Sequence, residues 1–420
     1  MSDRPSGTRA RPPLMSLDEA LARLLESAGA GLGSERVSTF EADGRVLAQD
    51  VVSPLTVPPA DNSAMDGYAV RVADCVKPGT VLPVSQRVPA GTVGSALVAG
   101  TAARIFTGAQ VPEGADAIVM QEDTTALDAD GEAFGRVRIE LPPAPGRWIR
   151  RAGEDVALGD VVLKRGERLT PQALGLAASV GMDALEVSRR PRVALLSTGD
   201  ELAMPGEVAP QDMKPGAIYN SNRFFMRALL RRLGCEVNDL GIVADTREAT
   251  IEALRRAAES NDVIVTTGGV SVGEEDHIRA AVQALGSLDL WSVAMKPGKP
   301  FAHGRIGNAH ITGLPGNPVS SFMTFLLLVR PFLLKLQGAS NLALPTIAMR
   351  ANFDWPRPDR RREFLRARRN DQGGLDLFPN QSSGVLTSTV WADGVIDTPA
   401  GHAFGVGDDV QFIPFAALLA

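Results

Sequence analysis

Cysteine is nearly absent from this 420-residue chain, which carries only Cys75 and Cys235. Two thiols cannot build a disulfide framework, so a stapled secreted scaffold is excluded and a reducing compartment fits. Histidine is as sparse, with 4 in all, and none has metal-motif spacing; His303 and His310 read as structural. Positive charge is in deficit, 43 Lys and Arg against 49 Asp and Glu, for a net charge of −6. A nucleic-acid binder would carry a basic domain or stripe, and none is expected here. The longest apolar stretch, Phe322 to Leu334, is interrupted by Arg330 and Pro331 and is too short to cross a bilayer, so no membrane is expected. Residues 1–13 are polar, with Pro5, Pro12 and Pro13, and read as a disordered tail rather than a secretory signal. No nucleophile elbow, catalytic-cysteine context, internal repeat or low-complexity segment is present. These absences leave a cytoplasmic, globular protein as the expectation.

What is present is ordinary in bulk, 44% hydrophobic and 22% charged residues, enough for about two or three domains. Two glycine-rich turns organise it, Thr266 to Asp276 and Gly313 to Pro318. Each follows an apolar, β-prone run and opens a helix. After the first, Ile278, Ala281, Val282 and Leu285 lie on one helical face. After the second, Asn317 stands at a capping position and Pro318 at the first helical position. A strand passing through glycines into a helix N-terminus aims free N–H groups and the positive end of the dipole at one spot, which suits an anion. Two such turns predict an anionic ligand held at more than one place.

Taken in order, Ser16 to Glu19 forms a capping box ahead of a helix bearing Leu17, Ala20, Leu21, Leu24 and Leu25. From 54 to 150 prolines, glycines and short β-prone runs replace helical periodicity. A helix returns at Thr170-Pro171. Residues 14–53 and 151–189 therefore read as a discontinuous helical domain around a β-rich insertion, 54–150, unless that segment is a separate module on two linkers. From 190 to 336 strands and helices alternate, with Val193 to Ser197 a strand, Arg223 to Leu233 a helix, Asp245 the cap of the next helix and Trp291 to Met295 a strand. This predicts a mostly parallel sheet covered by helices, its site beyond the carboxyl ends of the strands. Residues 337–420 read as a small closing β domain. The fold class is thus multidomain, α/β plus β.

Several clusters carry charge to the expected site. Ser271, Glu274, Glu275 and Asp276 crowd the first turn, where acids serve as helix caps or as oxygen ligands for Mg²⁺. The turn lacks the lysine of a phosphate loop and the spacing of a dinucleotide fold; a lone Gly-Gly after a strand is usually a tight turn, and it is the company of Ser271 and the three acids that raises a functional reading of Gly268-Gly269. Ser197 to Leu202 is another strand-end turn with acids, Asp200 and Glu201. Lys296-Pro297-Gly298-Lys299-Pro300 holds two lysines on a stiff turn, suited to phosphate. Asp61 to Val70 is dense in turn formers. Arg360, Arg361, Arg362, Arg366, Arg368 and Arg369 read as a solvated strand face.

Together these stretches resemble a known family. Asp61 to Ala69, Phe106 to Ala109, Ser197 to Leu202, Thr267 to Gly273, Lys296 to Pro300 and Gly313 to Pro318 look like the motifs of the molybdopterin molybdenumtransferases, the bacterial MoeA type that also forms the C-terminal part of gephyrin. They stand in family order between about residues 14 and 415. The resemblance implies a helical discontinuous domain, a β insertion, a molybdopterin-binding α/β domain and a C-terminal β domain, assembled as an elongated homodimer with a composite active site. It implies that molybdate is inserted into adenylylated molybdopterin with release of AMP and with Mg²⁺ assisting. The implied catalytic positions are Asp66, Asp155, Glu201, Asp245 and Asp276, with Glu201 and Asp276 toward the metal. The implied substrate-binding positions are Thr107, Gly268, Gly269, Ser271, Lys296, Lys299, Gly316, Asn317, Arg366 and Ser383. Implied partners are a molybdopterin adenylyltransferase and recipient molybdoenzymes. Ser292 departs from the pattern, because some relatives carry lysine there. The other readings are a molybdopterin adenylyltransferase, which ordinarily consists of the α/β domain alone, and a gephyrin-like scaffold, which would bring fused domains and long linkers.

Overall fold

The computed structural model describes residues 14–29, 31–127, 133–269 and 277–419. The first helix, α1 (Leu17–Ser27), starts where Ser16 Oγ accepts the Glu19 N–H at 3.1 Å. It buries Leu17, Ala20 and Leu24 in the largest core, alongside strands and helices of the α/β unit. The two stretches flanking the insertion then pair with each other. Ser34–Ser38 runs antiparallel to Ala184–Ser188, and Val51–Val52 to Val161–Leu163. Helix α2 (Pro171–Ser179), capped by Thr170 Oγ1 on the Ala173 N–H, completes a separate core around Leu47, Val156, Leu169 and Val187.

The insertion is one six-stranded sheet. Its strands are β1 (Gly67–Val70), β2 (Thr80–Val88), β3 (Ala102–Ile105), β4 (Ala117–Met120), β5 (Thr124–Leu127) and β6 (Arg136–Ile139), in the order β4-β1-β3-β2-β6-β5. Gly67 lets two of its strands approach closely. A Cβ on Gly67 would lie 1.9 Å from the Val119 carbonyl oxygen on β4.

The α/β unit follows with β7 (Arg192–Thr198), α3 (Ser221–Arg232), β8 (Glu236–Val243), α4 (Arg247–Ser260), β9 (Val263–Thr267), α5 (His277–Leu285), β10 (Ser287–Ser292), β11 (Pro300–Ile306) and β12 (Ala309–Leu314). The sheet order is β8-β7-β9-β12-β11-β10; the first four strands are parallel and the last two join antiparallel. A buried helix, α6 (Pro318–Leu336), passes beneath it with a π-helical segment at Phe325–Val329. Its length and composition would suffice for a bilayer, but the chain itself covers it, so here it is a core helix. The C-terminal strands β13 (Ile347–Ala351), β14 (Arg362–Arg369), β15 (Gly374–Leu377), β16 (Gly394–Thr398) and β17 (Asp409–Pro414) close into a barrel, because β14 pairs with both β15 and β16.

Three local expectations are corrected. The Trp291 strand stops at Ser292, and Met295–Lys296 pairs instead with β14 of the barrel. Helix α4 is capped by Thr246, not Asp245; Thr246 Oγ1 accepts the Ala249 N–H at 3.3 Å. The arginine-rich stretch is a solvated face only in part: Arg360, Arg368 and Arg369 are exposed, and the other three are not. Arg362 pairs with Asp397 and Asp18, Arg361 with Asp359, and Arg366 is only 1% exposed because β14 is covered on both sides.

Candidate active site

The carboxyl ends of the parallel strands converge on a cavity of about 920 Å³. Each strand delivers its own turn. β7 leads into Thr198, Gly199 and Glu201, β8 into Asp245, β9 into Gly268 and Gly269, and β12 into Pro315, Gly316 and Asn317. The crevice lies outside the carboxyl edge of the sheet, the usual place for ligands in open α/β folds.

The turns are held tightly. Gly268 and Gly269 have φ of 93° and 65°, and a Cβ on Gly269 would sit 2.5 Å from Ile278 Cγ1 on α5. Only glycine fits such a left-handed, crowded position without strain. The Gly268 N–H bonds the Leu314 carbonyl at 3.0 Å, and Ser197 Oγ meets Thr267 Oγ1 at 3.0 Å, so the two glycine turns share one frame. Gly199 (φ 142°) leaves room for the Glu201 carboxylate, whose oxygen would lie 2.5 Å from a Cβ there. Asn317 stands at the start of α6 without a side-chain capping bond, and the Val319 N–H is taken by the Ser383 carbonyl at 3.0 Å. The N-terminus of α6 therefore offers a ligand fewer free donors than its sequence suggests.

Helix α3 contributes residues that the sequence reading passed over. Asn220 caps α3, its Oδ1 accepting the Arg223 N–H at 3.2 Å, and Asn222 Nδ2 donates to the Gly316 carbonyl at 2.7 Å. Both line the cavity with Tyr219 and Ser221, and Asn222 ties α3 to the second glycine turn. The polar run Tyr219-Asn220-Ser221-Asn222 before an apolar helix was the available signal. His277 and Ser320 also line the wall, as do Gly384 and Leu386 from the barrel unit.

The remaining expected residues fall in three places. Ser271 and Asp276 lie outside the described residues. Lys299 is exposed just before the lining residue Pro300, and Ser383 is half-buried just before Gly384. Lys296 Nζ lies 3.1 Å from Glu363 and 3.4 Å from Asp359, across to the barrel. Arg366 Nε and Nη2 bond Ser388 Oγ (3.1 Å) and the Ser382 carbonyl (3.2 Å), holding the loop that carries Ser383. Burial alone pulls its pKa down to about 10.

Asp66, Thr107 and Asp155 belong to the insertion and its base, away from the lining of the cavity. Antiparallel pairing of β1 with β3 sets Asp66 beside Thr107, and Asp66 Oδ1 accepts both the Thr107 N–H and its hydroxyl, each at 2.8 Å. Those two donors, the N–H first, hold the exposed carboxyl below its ordinary range, with a smaller help from the Arg104 charge. Asp155 is exposed at the base of the insertion, its N–H bonded to Val57.

Charge is lopsided here. Among the described residues, the cavity is lined by the carboxylates of Glu201 and Asp245 and by no lysine or arginine. Neither carboxylate has an ion-pair partner among the described residues. No group of three or more metal-ligating side chains gathers among them. One or two free carboxylates beside an open crevice is the donor set Mg²⁺ uses when water and substrate phosphates complete its shell, so the residues present fit that ion.

Three family models match the chain: a MoeA N-terminal region (domains I and II) over residues 15–181, a probable molybdopterin-binding domain over 194–335, and a MoeA C-terminal region (domain IV) over 348–415. A molybdopterin molybdenumtransferase of Haemophilus influenzae is 43% identical, over 97% of this chain and 100% of the relative. Molybdopterin molybdenumtransferase 2 of Mycobacterium tuberculosis is 39% identical, over 86% of this chain and 90% of its own. The crystal structure of a molybdopterin biosynthesis MoeA protein from Pyrococcus horikoshii superposes with a TM-score of 0.81 at 28% identity, covering 96% of this chain and 100% of that one.

Proposed function

This chain belongs to the molybdopterin molybdenumtransferase family, and from that premise we propose that it inserts molybdate into adenylylated molybdopterin and releases AMP. It is a transferase of molybdenum cofactor biosynthesis. The likeness of nearly the whole chain to the Haemophilus influenzae enzyme carries this reading. The site is consistent with it. Backbone turns and Lys299 attract phosphates, while Glu201 and Asp245 are the residues that would hold Mg²⁺ and orient the attacking oxygen, so charge placement is the main catalytic device. Mg²⁺, when bound, would supply neutralisation of the phosphoryl charge. Work in the cytoplasm agrees with two free, buried cysteines.

The protein works as a homodimer in which the insertion of one subunit faces the cavity of the other. Two observations support this arrangement. The acids Asp66 and Asp155 are far in the chain from a cavity that lacks them, and Phe40 (94% exposed), Leu158 and Val161 leave apolar surface on the discontinuous unit. A molybdopterin adenylyltransferase supplies the substrate and molybdoenzymes receive the product. Purified protein with adenylylated molybdopterin and Mg²⁺ should release AMP only when molybdate is added; equal release without molybdate overturns the reading.

A further inference from the structure

The insertion carries a cationic feature to which neither the sequence motifs nor the cavity assigns a role. In the sheet register Arg87 on β2 stands opposite Arg104 on β3, and Arg104 opposite Tyr68 on β1. The two guanidinium carbons lie 4.9 and 4.8 Å from the centroid of the same ring, Phe106, and Arg104 also lies 5.1 Å from that of Tyr68. Arg104 is further fixed by bonds to the Gly67 carbonyl (3.0 Å) and Gln121 Oε1 (2.7 Å). Like charges directly opposite on neighbouring strands are destabilising, and an exposed cation–π contact returns only a fraction to about 1 kcal/mol. Neither arginine has a carboxylate within ion-pair distance among the described residues. Arg87 is exposed and its side chain makes no hydrogen bond among the described residues. Phe106 immediately precedes Thr107, the partner of Asp66, so this positive surface adjoins the motif the insertion presents.

We propose that Arg87 and Arg104 form an oxyanion-binding face, contributed by the insertion to the composite site. The cavity presents carboxylates and no Lys or Arg among its described lining, so a pyrophosphate or a tetrahedral oxometallate entering it lacks fixed cations on that wall. Two guanidinium forks stacked on one phenyl ring supply them in a preset orientation, which suits bidentate binding of oxyanions. The face relieves its own like-charge repulsion when the anion is bound. The inference rests on the proposed reaction and on the facing of insertion and cavity.

The test varies Arg87, because Arg104 also supports the Gly67 backbone. Arg87→Gln should raise KM for the oxyanion the face holds roughly tenfold, as loss of a charge-assisted hydrogen bond implies. Arg87→Lys should recover part of that loss. Lys77→Gln, an exposed cation elsewhere in the insertion, is the control and should match wild type. KM is measured separately for molybdate and for adenylylated molybdopterin; the arm that rises identifies which oxyanion is held. If wild type turns over and neither KM moves, the inference fails while the reaction stands. If wild type releases no molybdate-dependent AMP, the reaction fails, and calorimetry with inorganic pyrophosphate still decides the face: weaker binding by Arg87→Gln supports it, equal binding overturns it.

Discussion

At the scale of single residues, the clearest consequences come from groups buried away from the cavity. His303 and His310 stack with ring centroids 5.5 Å apart under Phe332. His303 Nε2 meets Ser27 Oγ of α1 at 2.9 Å, and His310 Nε2 accepts from Arg305 at 2.8 Å. Burial first of all pushes His303 down to about 4 and His310 to about 3; Arg305 lowers both, Asp289 raises the first and Asp262 the second. Both are depressed below the unfolded value near 6.5, so the unfolded chain binds more protons and stability is lost as pH falls from about 6.5 toward 4 and 3. Each histidine adds a slope of up to roughly 1.4 kcal/mol per pH unit in that window. His310→Phe should flatten the pH dependence of urea unfolding between pH 6.5 and 4, and superimposable slopes would refute the assignment. Thiols behave more simply. Burial raises Cys75 to about 11 and Cys235 to about 12, so neither should react with a thiol reagent in the native protein at pH 8. Arg366 shows where reading by residue stops. Alternation in a strand separates two faces but cannot tell that β14 is covered on both, so a basic run that looks solvated contains a fully buried guanidinium.

At the scale of elements, the strands, the glycine turns and the helices after them were legible, because periodicity and glycine are local signals. What failed was local chemistry with two neighbouring candidates. Asp245 and Thr246 are both good capping residues, and sequence could not choose; the structure gives the cap to Thr246 and leaves the Asp245 carboxylate at the cavity. The two roles are separable by mutation. Thr246→Ala should cost about 1 kcal/mol of stability and little activity, whereas Asp245→Asn should leave the unfolding midpoint unchanged and lower AMP release by roughly 10²-fold. A midpoint that drops for Asp245→Asn but not for Thr246→Ala would reverse the assignment. Likewise the Lys-Pro-Gly-Lys turn was legible as a turn but not as one seated on α6. Gly298 has φ 110°, and a Cβ there would meet Thr324 Oγ1 at 2.5 Å and Met295 Cε at 3.0 Å. Gly298→Ala should therefore destabilise by about 1–3 kcal/mol and raise KM for the phosphorylated substrate by moving Lys299; an unchanged thermal midpoint would show that the turn is not clamped.

At the scale of the molecule, the chain leaves its first, discontinuous unit to build the insertion, returns, and only then reaches the α/β unit. The strands on either side of the insertion pair with each other, Ser34–Ser38 with Ala184–Ser188 and Val51–Val52 with Val161–Leu163, a closure between residues far apart in sequence that no local pattern encodes. The acids divide accordingly. Asp66 sits on the insertion with Thr107, and Glu201 sits at the cavity. If each site of a two-fold dimer takes its insertion from one subunit and its cavity from the other, two equivalent composite sites result. Asp66→Ala and Glu201→Ala homodimers should then both be nearly inactive, because every site carries a defect. In a mixed dimer of the two variants, one site collects both defects and the other collects neither. Co-expression with two affinity tags and purification of the doubly tagged species should recover about half the wild-type AMP release per dimer, provided the sites act independently. Sites built within single chains would leave both halves of the mixed dimer defective. A doubly tagged dimer as inactive as its parents would therefore rule out sharing of the site between subunits, and with it the delivery of the Arg87 and Arg104 face to a neighbouring cavity.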